Sequence, residues 1–230
     1  MKKTLWIAIA GALAASVIAA SAQEVHSANA VGYIKKTLPA GGKLVAMSIP
    51  LDSMTNTSLV FGETSVASEA PVGASVSFWD PIGQTWISGA KSGKGWGPAE
   101  AGYVLEPGEG FFLKGDPLAV SDVEVTITGE VPSDAALDRA VPGSGALGTL
   151  ANPYPVDFTF GTSAFASNAS VDSEVAFWDV DAQSWIMGLK SGKGWNSLQA
   201  NYVVEAVEGF FMKEFGGAAN WTMDKPYTWP

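Results

Sequence analysis

Residues 76–114 read VSFWDPIGQTWISGAKSGKGWGPAEAGYVLEPGEGFFLK, and the pattern returns 99 positions later, without a gap, at residues 175–213 as VAFWDVDAQSWIMGLKSGKGWNSLQANYVVEAVEGFFMK. Of the 39 paired positions 23 are identical, including FWD, SGKGW and EGFF. Such a chain is expected to fold as two copies of one unit, so a site made of the shared residues should occur twice. Upstream the likeness continues at an offset of 103: Leu38-Pro39, Gly42, Leu44 and Pro50 match Val141-Pro142, Gly145, Leu147 and Pro153. The difference of four falls in a Ser/Thr-rich stretch, where insertions cost little.

The first 22 residues read as a secretory signal peptide. Lys2 and Lys3 precede an uncharged apolar run from Leu5 to Ala20, and Ala20-Ser21-Ala22 is a small-residue cleavage site. The run is too short for a spanning helix, so no membrane insertion is expected after cleavage. The division that follows is 1–22 signal, 23–36 N-terminal strand or arm, 37–131 first unit, 132–139 linker and 140–230 second unit. Removing the signal takes two lysines, leaving 11 basic against 23 acidic residues, a charge of −12. That surface repels nucleic acid and anionic membrane. With no cysteine, packing alone must hold each unit, and the aromatic supply is adequate for that.

Short apolar or alternating runs separated by Gly, Pro and Asp turns predict an all-β fold, two tandem β-sandwich or small-barrel units related by a pseudo-twofold repeat. Residues 31–36, 43–51, 76–79, 85–88, 110–114 and 122–131 read as strands. One helical turn is expected over residues 57–61, and about two turns over 134–140 after a Ser133 cap. On this register the strand at 31–36 is expected to pair with the C-terminal strand around Trp221, or with a neighbouring molecule.

Candidate chemistry is thin. His26 is the only histidine, so neither a Ser-His-Asp set nor a histidine-ligated metal has its parts. The Gly89, Gly93, Lys94, Gly95 loop lacks the spacing and following helix of a phosphate loop; a tight crossing with Trp96 or Trp195 folded back is expected instead. The recurring acids Asp80/Asp179, Glu106/Glu205 and Glu109/Glu208 sit beside turns, where they cap amides. Asp179 and Asp181 could suggest calcium, but the first copy lacks the second acid. No catalytic residue, metal or cofactor is expected. The functional lead is the tryptophan triplet of each copy, Trp79, Trp86, Trp96 and Trp178, Trp185, Trp195, a candidate aromatic surface for a sugar ring or a neighbouring subunit.

The run of NAVGY at residues 29–33, FWD at 78–80, QTW at 84–86, GKGW at 93–96 and PGEGFF at 107–112 resembles uncharacterised secreted β-repeat proteins of planctomycete–verrucomicrobial bacteria. The resemblance covers nearly all of the mature chain. It implies an envelope or extracellular protein and transfers no catalytic residue. The expectation is a non-enzymatic structural or interaction protein of the cell surface. Its partners would be copies of itself, joined through edge strands and exposed aromatics, or other surface proteins. The alternative is a carbohydrate-binding module with two aromatic sites.

Overall fold

The structure is a computed structural model that describes residues 30–228; the expected signal peptide and His26 lie outside them. Strands dominate. In order, β1 (Val31–Leu38), β2 (Leu44–Ser48), β3 (Leu59–Val60), helix α1 (Ser65–Glu69), β4 (Ser75–Asp80), β5 (Thr85–Ala90), helix α2 (Pro98–Ala101), β6 (Val104–Leu105), β7 (Gly110–Lys114) and β8 (Val123–Glu130) fill the first half. The second half runs β9 (Ala136–Val141), β10 (Ala146–Ala151), β11 (Phe158–Thr159), α3 (Ala164–Asn168), β12 (Glu174–Asp179), β13 (Ser184–Leu189), α4 (Ser197–Ala200), β14 (Val203–Val204), β15 (Gly209–Glu214) and β16 (Ala219–Asp224).

Two four-stranded antiparallel sheets form the body, ordered β2-β7-β4-β5 and β10-β15-β12-β13. The remaining strands pair two by two, as β1-β8, β3-β6, β9-β16 and β11-β14. No barrel closes, so the small-barrel option falls away. Trp79 lies opposite Trp86 in one sheet and Trp178 opposite Trp185 in the other.

Alternation along β4 puts Phe78 and Trp79 on opposite faces, and both faces are buried. Phe78, Val76, Phe111, Leu113, Val45 and Met47 face one core, which β1, β8 and α1 cover from the far side. Phe177, Val175, Phe210, Met212 and Leu150 do the same against β16 and α3. The other faces of the two sheets meet each other, enclosing Ala46, Trp79, Phe112 and Phe211. The crossing is tight at β7 and β15: a Cβ on Gly209 would lie 2.9 Å from the Cα of Gly110. Glycine is required there because two backbones touch.

Three expectations need correction. Residues 134–140 are not helical: β9 occupies 136–141 and pairs with β16, because the alternation of Leu137, Arg139 and Val141 has a sheet face to bury and the Ala-Leu-Asp propensity is overridden. The strand at 31–36 therefore does not join the C-terminal strand; β1 pairs along its full length with β8 of its own half. The helical turn placed at 57–61 comes later, as a 3-10 turn at Phe61–Glu63 followed by α1, whose cap is Thr64 accepting from the Ala67 amide.

Candidate interaction surface

The shared residues of the two stretches are mostly engaged in holding the fold. In the glycine loop, Lys91 Nζ donates to the carbonyls of Ala67, Ser68 and Ala70 at 2.9, 2.7 and 2.7 Å. Lys190 does the same to Ala166, Ser167 and Ala169. Each lysine satisfies the orphan carbonyls at the end of α1 or α3, where the helix dipole also favours a cation. Trp96 Nε1 donates to Ala67 O and packs edge-on against Phe61; Trp195 repeats this with Ala166 O and Phe160. Trp96 and Trp195 are thus folded back under the loop. Gly95 and Gly194 take φ of +101° and +97° to allow the turn.

FWD and the glutamine that follows build a reciprocal clamp between the sheets. Trp79 Nε1 donates to Leu147 O at 2.8 Å, and Trp178 Nε1 donates to Leu44 O at 2.8 Å. Gln84 adds a two-point grip on Leu147: Oε1 accepts from its amide and Nε2 donates to its carbonyl, both at 3.0 Å. Gln183 grips Leu44 in the same way, at 2.9 and 3.1 Å. Both glutamines sit at positive φ in hairpin turns, which aims the carboxamide outward like a missing strand residue. Backbone bonds from Ser48 to Val207 and from Ala151 to Gly108 complete the contact. The outer edges of β2 and β10 are thereby closed by the opposite half.

The acids cap turns. Asp80 accepts from the Ile82 amide, and Asp179 from Asp181 and Ala182. Glu109 accepts the Tyr103 hydroxyl at 2.6 Å and the Glu106 amide; Glu208 accepts from Tyr202 and Glu205. Burial pushes both carboxyls above the usual range, against the lowering influence of these hydrogen bonds and of Arg139 or Lys36. The same burial, with the neighbouring carboxylate, pushes the Tyr103 and Tyr202 hydroxyls well up. A cleft of about 410 Å³ holds Asp52, Glu106 and Asp134; burial, then Asp134 and Glu130, raise the Asp52 carboxyl. Among the described residues no group of three or more His, Cys, Asp or Glu could hold a metal ion.

The six tryptophans separate by place. Trp79 is buried and Trp178 half-buried between the sheets, while Trp86 and Trp185 keep 43% and 40% of their surface exposed. A continuous row of rings runs Trp86, Phe211, Phe112, Trp185, with neighbouring centroids 5.8, 5.6 and 5.8 Å apart. Beyond it the sheets differ. On the face of β13 that carries Trp185, Met187 and Leu189 are exposed; beside Trp86 the corresponding surface carries hydroxyls, Ser88 donating to Ser77 at 2.8 Å. Lys91 and Lys190 escaped the sequence reading because the second lysine of the loop, Lys94 or Lys193, is the one a phosphate motif would use. Gln84 and Gln183 carried one usable signal, identity in a turn where other residues differ. Compared with family models, curated proteins and solved structures, the chain matches none.

Proposed function

We propose that the chain is an exported, non-enzymatic structural or interaction protein of the cell surface, built from two copies of one β unit related by a pseudo-twofold axis, and that it self-associates. One observation carries this reading. Most residues common to both copies are occupied by locks within or between the halves, whereas Trp185 stays exposed in a row with Met187 and Leu189, which the first copy replaces with Ser88 and Ala90. Contiguous exposed apolar surface beside a polar rim is characteristic of association surfaces. The signal-like leader and the resemblance to secreted repeat proteins support export. Electron microscopy and sedimentation across a concentration series test it: growing assemblies are expected, and a monomer at every concentration contradicts it.

A second reading, carbohydrate binding, is favoured by Trp86, which offers an exposed indole next to the Ser77 and Ser88 hydroxyls. Here Trp86→Ala, rather than the core change Trp96→Ala, would abolish a glycan-induced fluorescence shift.

A further inference from the structure

Several strand edges in this fold are closed by groups from elsewhere in the chain. Leu147 and Leu44 on β10 and β2 are gripped by Gln84 and Gln183. The outer edge of β8 is satisfied by Glu69 at the Thr126 amide, Ser65 at the Thr128 amide and the Asp52 backbone at Glu130. On β13, the Met187 carbonyl is taken by Gln199.

Of the edges left open, those of β1 and β9 border grooves. The Val131 amide donates to Ala30 O, so in the β1-β8 ladder the even-numbered residues of β1 face β8. The backbone groups of Val31, Tyr33, Lys35 and Thr37 therefore point outward. In β9-β16 the Lys225 amide donates to Ala135 O, which leaves Ala136, Asp138 and Ala140 pointing outward. Among the described residues no backbone hydrogen bond reaches either set. Each of these two edges borders a groove whose far wall is a hairpin turn of the other half. The β9 groove, about 770 Å³, lies against Pro81 and Ile82; the β1 groove, about 710 Å³, lies against Val180 and Asp181. A strand edge lining a groove is the arrangement that accepts an added strand.

Charge chooses the occupant. Lys35 and Asp138 hold corresponding places at the offset of 103 in the two edges. Pairing β1 with β1 of a second copy would set lysine near lysine, and β9 with β9 would set aspartate near aspartate. Among pairings of these two edges, only β1 with β9 brings opposite charges together. Apolar groups agree. Tyr33 of β1 is 72% exposed, and Ile82 in the β9 groove is 94% exposed.

We propose that β1 of one copy adds antiparallel to β9 of the next, with Lys35 opposite Asp138, Tyr33 opposite Ala140 and Thr37 opposite Ala136. This rests on the self-association reading and gives it a contact apart from the Trp185, Met187 and Leu189 row. The contact joins two different surfaces, so it propagates as an open row of molecules unless a ring closes it. Lys35 already meets Glu124 at the surface, a weak exposed pair that leaves its ammonium free to be shared.

The chain has no cysteine, which makes thiol cross-linking clean. Tyr33→Cys and Ala140→Cys chains, mixed and treated with a short bismaleimide, should give a covalent dimer, while neither alone does; a chain with both should give a ladder. Cross-linking of Tyr33→Cys to itself overturns the proposal. So does absence of the mixed dimer; where the unsubstituted chain still sediments as oligomers, self-association stands without this edge, and where it sediments as a monomer both fall. Independently, Lys35→Glu and Asp138→Lys should each weaken association about five- to tenfold, and mixing the two should restore it; failure of the mixture to recover counts against the pairing.

Discussion

Single side chains in this protein carry unusual numbers of backbone groups. Lys91 and Lys190 each satisfy three carbonyls, and hydrogen bonds to charged groups contribute about 1.5–3 kcal/mol. Lys91→Met should therefore lower unfolding stability by about 2 kcal/mol in urea titration, with the exposed Lys94→Met as a near-neutral control. Glu214, which has glycine at the matching place in the first copy, is buried at the end of β15. Burial alone would raise its carboxyl. The Ser170 hydroxyl, the Gly216 amide, the Ser173 hydroxyl and the Ser170 amide outweigh that and hold it below the usual range. A carboxyl depressed in the folded state adds stability above its unfolded pKa, about 4.3, and loses it as pH falls through the lower folded value. Glu214→Gln should thus be about 2 kcal/mol less stable at pH 7, and the gap should narrow as the buffer is taken below about pH 4. Glu109 and Glu208 act in the opposite sense: raised in the folded state, they contribute most below the unfolded value and lose that as pH rises through the folded one.

Among the elements, the edge strands β2 and β10 depend on side chains from across the molecule. Gln84→Ala should free the amide of Leu147, whose carbonyl keeps the Trp79 indole, at a cost of about 1–3 kcal/mol. Hydrogen exchange checks the location: the Leu147 amide should exchange faster in the variant, while the Leu44 amide, held by Gln183, stays protected. The strands themselves were largely legible. Residues 76–79, 110–114 and 122–131 alternate or run apolar between turn residues, and each is a strand. The segment at 134–140 was misread because its local propensity favours helix, and its partner β16 lies 78 to 88 residues away along the chain, a pairing that local pattern does not encode. The clamp was legible only as identity between copies. Nothing in the spacing of Trp79 and Gln84 says that they grip Leu147 and not a ligand, since that depends on the two sheets meeting face to face. For the same reason the triplet of tryptophans looked like one surface, and folding divides it among a loop floor, a sheet interface and two exposed ends.

At the scale of the whole molecule, the two halves interlock. Trp79 and Gln84 reach Leu147, Trp178 and Gln183 reach Leu44, Phe112 packs on Phe211, and Lys36 pairs with Glu205 at 2.6 Å. Neither half closes the edge of its own β2 or β10, so each needs the other to satisfy buried backbone groups. The shared residues then serve mostly to hold one body together. Calorimetry of the full chain tests this most directly. A single transition is predicted, with calorimetric and van 't Hoff enthalpies equal; two separable transitions, one for each half, would contradict it.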